Sequence, residues 1–244
     1  MIENLNDYLV GIALGVRFRP NFSIEDKLGE ITDSILYSED SLFSSKVFPE
    51  VGSNFGLRTL MNKDTDNKLH IDNSNIVLEI SFKDNQGFVK NDADDILEAF
   101  KRQIINDVLR QHNIQEIVRV GYIQRYLFTI DGLAKSFIDR TLGQTLEGIN
   151  DISLKFSKRI PLPRSLAKED VNDYDNSIYT VNKKSNEQYI SIAIDYQSFF
   201  DPFLQRSDLI NYQQFIQRAT DFYKNNFLTW LNSYYAEVLL EQTV

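Results

Sequence analysis

The sequence predicts an α+β protein made of two similar halves, each a mostly antiparallel sheet with a long helix packed on one face. Three observations predict it. A strand pattern leading into a helix occurs at Asn75–Phe82 with Asp92–His112, and again at Gln188–Tyr196 with Ser207–Glu241. Both strands alternate apolar and polar residues, the period of a half-buried strand. Both helices carry an apolar stripe. The halves divide as residues 1–145 and 146–244. Few residues are identical between the copies, so the repeat is one of pattern. The two sheets could join side by side.

Taken in order, Tyr8–Arg19 reads as a strand stopped by Pro20. Ser23 is placed to cap a helix over Ile24–Tyr37, where Ile24, Leu28, Ile31 and Ile35 recur at helical spacing. Ser38–Gly56 reads as a loop, with turn signals at Phe48-Pro49 and Val51-Gly52. Short strands are expected at Leu57–Met61 and Leu69–Ile71. Asn75–Phe82 is a firmer one, with Ile76, Leu78, Ile80 and Phe82 on one face and Val77, Glu79 and Ser81 on the other.

Asp92, Asp94 and Asp95 complement the positive end of the next helix, and Asn113 can end it. Glu116–Ile130 reads as a long strand with Gly121 as a candidate bend. A helix over Gly132–Leu142 follows. Asp151–Ile160 alternates strongly, and Pro161-Leu162-Pro163 ends it. Leu162–Asn176 is polar and acidic, the composition of a mobile loop. Ser177–Lys183 and Gln188–Tyr196 read as a hairpin, and Phe199–Leu204 as a connector interrupted by Pro202. The last helix would span roughly 50 Å at ~1.5 Å per residue, more than one small sheet can cover. Its expected bend is at Asn225-Asn226.

Composition bounds the function. The chain has 244 residues, 42% hydrophobic, with 17 Phe and 12 Tyr, ample for a core. Its net charge of -9 makes free nucleic acid a poor partner, because phosphate binding needs concentrated Lys and Arg. It favours a basic partner instead. The absence of cysteine removes disulfides, thiolate nucleophiles and thiolate-held metals. The apolar run Tyr8–Val16 is too short to cross a bilayer and has no basic leader, so the expected setting is cytoplasmic, without a membrane.

Chemistry-bearing motifs are sparse. His70 lies by a polar turn and His112 at a helix end, neither beside a Ser or a carboxylate at a telling spacing; both are read as structural. Gly11 and Gly15 lie within a strand and match no dinucleotide fingerprint. The acidic run Asp64–Asp72 lacks the Gly and terminal Glu of a calcium loop. No cofactor is implied. The most informative polar set lies within strands: Arg17, Arg119 and Arg125, with Glu79 and Asp195 on the polar faces of the repeated strands. If these strands are neighbours, one sheet face carries Arg able to hold a phosphate or carboxylate bidentately. Cross-strand ion pairing on a wet face is the simpler account of the same residues. The aromatic stripe that includes Tyr223, Phe227, Trp230 and Tyr234 reads as core or as a helix–helix interface.

Val16-Arg17-Phe18 with Pro20, Leu28-Gly29-Glu30-Ile31, Phe48-Pro49 and Arg119-Val120-Gly121-Tyr122-Ile123-Gln124-Arg125 occur in that order over about half of the chain. Together they resemble a sporadically distributed bacterial family of uncharacterised proteins. In the last motif this chain has Gln124 where that family has Asn, and it is two residues shorter. The resemblance carries no established activity. The patchy distribution it implies fits mobile or defence-related gene neighbourhoods.

The expectation is therefore a cytoplasmic interaction or regulatory protein of a bacterial defence or toxin-neutralising system, with the question of enzymatic activity left open and weighted against. It would meet a protein partner through Tyr223, Phe227, Trp230 and Tyr234, or a second copy through the C-terminal helix. The alternative is a sensor of a nucleotide or small anion on the Arg-bearing face. A third reading is a hydrolase whose metal is held by carboxylates.

Overall fold

The computed structural model describes residues 2–37, 50–54, 57–62, 66–82, 93–129, 139, 151–184, 189–205 and 210–233. Its centre is a nine-stranded sheet in the order β2-β3-β4-β5-β1-β6-β9-β8-β7. The strands are β1 (Leu9–Phe18), β2 (Glu50–Asn54), β3 (Leu57–Asn62), β4 (Asn67–Asp72), β5 (Asn75–Ser81), β6 (Glu116–Phe128), β7 (Ile152–Pro161), β8 (Tyr174–Lys183) and β9 (Ile190–Gln205). Every neighbouring pair is antiparallel. The fold is thus α+β, and the expected halves share one sheet. β6 pairs with β9 from Glu116↔Gln205 to Phe128↔Ile190 and makes that join.

Alternation gives the sheet two different faces. Ile12, Leu14, Val16 and Phe18 of β1, Ile76, Leu78 and Ile80 of β5, and Val120, Tyr122, Tyr126 and Phe128 of β6 are all buried. They join the helices in one core. The intervening residues face the other way, onto a more open face where Arg17 is exposed and Val77, Glu79, Arg119 and Arg125 are half-buried, while Ala13 and Gln197 are buried.

Helices α1 (Ser23–Asp26) and α2 (Leu28–Leu36) replace the single helix expected over Ile24–Tyr37, with a break at Lys27. Ser23 does not cap: Phe22 holds that position, and the Ser23 hydroxyl donates to Asn21 Oδ1 at 2.8 Å. Ala93–Phe100, Lys101–Val108 and Leu109–Gln111 run on as one helix, α3, whose middle stretch is π-helical. It ends at Asn113, which has φ 54°, with Ile114 N–H donating to Leu109 O at 2.8 Å and Asn113 N–H to Arg110 O at 3.1 Å. Those bonds satisfy the last carbonyls of the helix.

After α4 (Pro163–Ala167), the last helix, α5, begins at Ile210–Asp221. It passes through a second π-helical stretch, Phe222–Phe227, and continues through residues 228–233. The Asn225-Asn226 position, where a bend was expected, lies in this stretch.

The spacing of the buried residues accounts for both π stretches. Ile96, Phe100, Ile104 and Val108 recur every fourth residue in α3, as do Ala219, Tyr223, Phe227 and Leu231 in α5. Four residues of an ordinary α-helix overshoot one turn by about 40°, so such a row would wind off the sheet. Wider i→i+5 turns carry it back.

Several loop expectations are corrected. Residues 50–54, within the expected loop Ser38–Gly56, form β2. Leu162–Asn176 is no loose acidic loop: Arg164 Nη2 donates to Asp173 Oδ1 at 2.7 Å, and Arg218 Nε donates to Asp175 Oδ2 at 2.8 Å. Tyr196 and Ser198 also donate to Asp175, whose carboxylate is buried. With Arg218 Nη2 at 3.3 Å from Oδ1, four donor groups, two of them from the one Arg218 guanidinium, satisfy it there. Phe199–Leu204 is no connector, because β9 runs through it to Gln205. The expected helix over Gly132–Leu142 falls almost wholly outside the described residues.

Candidate functional site

The open face of the sheet brings together part of the expected polar set. Arg17 on β1 is the register partner of Arg119 on β6, so the two cations stand side by side. Two register positions along, on the same face, Gly15 pairs with Gly121. With no side chain at either position, the sheet is bare there, and a depression of about 100 Å³ opens. Arg17, Arg119, Asn75, Val77, Asp195 and Gln197 are among its walls. At about 30 Å³ per water, it has room for about three waters or one phosphate or carboxylate group.

These glycines are not sterically required. A Cβ on Gly15 would lie 3.5 Å from Val77 Cγ2, and one on Gly121 would lie 3.6 Å from Gln197 Cγ. Both are ordinary contacts. Gly11 differs, because a Cβ there would come within 2.7 Å of Ile80 O. Gly11 is thus set by backbone packing, whereas Gly15 and Gly121 leave an empty floor. Glycine inside a strand often marks such a close approach to a ligand.

Arg119 is held by a row of rings. Its guanidinium lies 5.5 Å from the centre of the Phe199 ring. Phe199 stacks on Tyr174 at 4.9 Å and 16°, and Arg159 covers Tyr174 at 4.9 Å. This cation–ring–ring–cation wall limits the rotamers of Arg119. Its planar fork is then ready for an anion at little further entropic cost.

The charges interact across the depression. Burial lowers the pKa of Arg119; nearby Asp195 opposes this and Arg17 adds to it. Burial raises the pKa of the Asp195 carboxyl, while Arg119 and a hydrogen bond from Gln197 pull it down. Among the described residues, neither Arg17 nor Arg119 forms a salt bridge. The depression therefore has two neighbouring guanidinium groups on one side and a largely buried carboxyl group on another.

The remaining expected residues separate. Arg125 pairs with Glu79 at 3.4 Å beside a neighbouring hollow of the same face. Both are more than a third exposed, so the pair contributes little. Tyr223 and Phe227 are core residues, 2% and 0% exposed. They cannot form a partner surface: the Tyr223 hydroxyl reaches Tyr122 O and Ile194 O, each at 2.8 Å, and Phe227 packs on Tyr126. Trp230 is half-buried against Tyr179 and Phe156. Tyr234 lies outside the described residues. His70 Nδ1 lies 3.0 Å from the Thr59 hydroxyl, and burial, then Lys27, holds His112 below its ordinary pKa; neither lines the depression.

Sequence reading missed Gln197, Asn75 and the glycine floor. Its only signal was two strand-interior glycines, Gly15 and Gly121, and nothing in the sequence showed that they would face one another. Among the described residues, no three His, Asp or Glu gather as metal ligands, so the carboxylate-hydrolase reading has no ligand set there. Among the same residues, no helix is long and apolar enough to cross a membrane. No family model matches the chain, and no curated protein is significantly similar to it.

Proposed function

We propose that this protein is a regulatory receptor for a small anion, a phosphate or carboxylate group held on the open sheet face by Arg17 and Arg119. The observation that carries the reading is the register pairing of these two cations above a floor of two glycines. Two forks can engage one anion bidentately, and the Gln197 amide, one of whose two N–H groups goes to Asp195, has a second beside them; the Asn75 amide is spent on Asp72 and Ser74. The resemblance drawn from the sequence supports the same place: Arg17 and Arg119 are the cations of its Val-Arg-Phe and Arg-x-Gly motifs.

The broader setting we propose is cytoplasmic regulation in a bacterial defence or toxin-neutralising system, by a chain built as two strand-and-helix copies. The experiment is a thermal-shift series with inorganic phosphate, nucleotides and small dicarboxylates. At least one should raise the midpoint. Arg17→Ala and Arg119→Ala should each remove that shift while the unliganded midpoint stays near that of the unaltered protein. No shift with any of these anions rejects the reading.

A second reading, an acidic protein binding a basic partner, has its own observation. Phe156 and Ile160 on β7 are 43% and 46% exposed and lie beside Trp230. This patch replaces Tyr223 and Phe227 as the apolar contact surface. Light scattering that shows a monomer at high concentration, with no partner recovered on a Phe156-containing bait, counts against both hetero- and homo-association.

A further inference from the structure

A cavity of about 600 Å³ lies on the opposite side of the sheet, between the start of α3 and the π-helical stretch of α5. That volume is within the usual range for small-molecule sites. Its floor is β6, where alternation sends Val120, Tyr122, Gln124, Tyr126 and Phe128 toward the helices. Four of these are at most 2% exposed and belong to the core. Gln124 is the polar exception, between Ile12 on β1 and Ile194 on β9 in the register.

The amide of Gln124 is held rather than merely tolerated. Its Nε2 donates to the Tyr122 hydroxyl at 2.7 Å, and its Oε1 accepts from the Tyr126 hydroxyl. A primary amide has two N–H donors and two carbonyl lone pairs. Fixing one of each leaves a donor and an acceptor side by side, and Gln124 is half-buried with its exposed part in the cavity. Leu9, Leu97 and Leu228 supply apolar walls, while Lys224 and Thr220 add polar groups. Wider helical turns frequently occur at functional sites, and Tyr223 and Lys224 reach the cavity from such a stretch.

We infer that this cavity binds a neutral planar ring carrying an adjacent hydrogen-bond donor and acceptor, the edge that a nucleobase or a cyclic amide presents to Gln124. Glutamine pairs with such an edge through two bonds, as it does with adenine. The leucine walls cover the faces of the ring, and Lys224 stands where a polar substituent would leave. The inference is independent of the open-face anion site, which uses the opposite face of β6.

Calorimetric titration of the full chain with adenosine, guanosine, cytidine, uridine and 2-pyrrolidone tests it; the last separates a nucleobase site from a general cyclic-amide site. At least one compound should bind. Gln124→Met keeps the length of the side chain without its hydrogen bonds and should weaken binding at least tenfold. Thr220→Trp fills the cavity from α5 without touching β6 and should cause the same loss. Thr220→Trp should keep the wild-type unfolding midpoint within a few degrees; Gln124→Met removes the acceptor of the buried Tyr126 hydroxyl and should lower it further while the chain still folds. Failure of all five compounds to bind the unaltered chain overturns the inference, and so does binding that survives either substitution.

Discussion

Gly121 has room for a methyl group above it and no packing reason to be glycine. Gly121→Ala should therefore leave the fold intact, since alanine suits a strand better than glycine. The new methyl group would occupy the depression 3.8 Å from Asp195 Oδ1. The unliganded midpoint should change by no more than a few degrees, while the phosphate-induced shift disappears. Asp195 gives a second outcome at this scale. Burial raises its folded pKa, so the folded state binds the proton more tightly than the unfolded chain. Its contribution is full below the ordinary carboxylate range and is lost as pH climbs through the raised value. Asp195→Asn should match the wild type at low pH and be the more stable at pH 7; a gap that stays constant from pH 3 to 8 would contradict this. The strand-borne charges were legible because alternation alone puts Arg17, Arg119 and Asp195 each on the polar face of its own strand. Their grouping was not, because it depends on strand order. Arg125 obeys the same alternation yet ends beside Glu79, six residues beyond Arg119 on β6.

Among the elements, α5 was the most misleading in sequence. Its aromatic surplus pointed to a partner, because one small sheet cannot cover such a helix. The sheet is not small: Tyr223 meets Tyr122 of β6, and Phe222 meets Tyr196 of β9 and Tyr179 of β8. The row that recurs every fourth residue was there to be read, and it is the element's real signature. Removing Asn226 should return the π stretch toward α-helix and rotate everything after it by about 100°. Phe227 and Leu231, both fully buried, would leave the core. A loss of at least about 3 kcal/mol is expected, by comparison with the truncation of a buried Phe. Urea denaturation measures it, and an unchanged midpoint would show that the wide turns are incidental.

For the whole molecule, the β6–β9 join matters most. Cutting the chain near residue 145 would leave β6 as a long unpaired edge and strip α5 from its underside. The intact protein should unfold in one calorimetric transition, with the van't Hoff and calorimetric enthalpies equal. Residues 1–145 expressed alone should fail to give a cooperative transition; two resolved transitions in the full chain would show that the halves are separate after all. The sequence pattern contained the repeat of strand and helix but not this join, since pairing between distant strands has no local signature.

β6 belongs to both surfaces at once. Tyr122, Gln124 and Tyr126 look into the cavity beneath the helices, while Arg119, Gly121 and Ile123 look outward, in strict alternation along one stretch of backbone. Gaining or losing a single residue there would exchange the two sets, driving an arginine into the core and a tyrosine into water. Gaining or losing two would slide each set along its own side and keep every chemistry facing its own way. Parity of length, more than the identity of any one side chain, is thus the rule this strand has to obey.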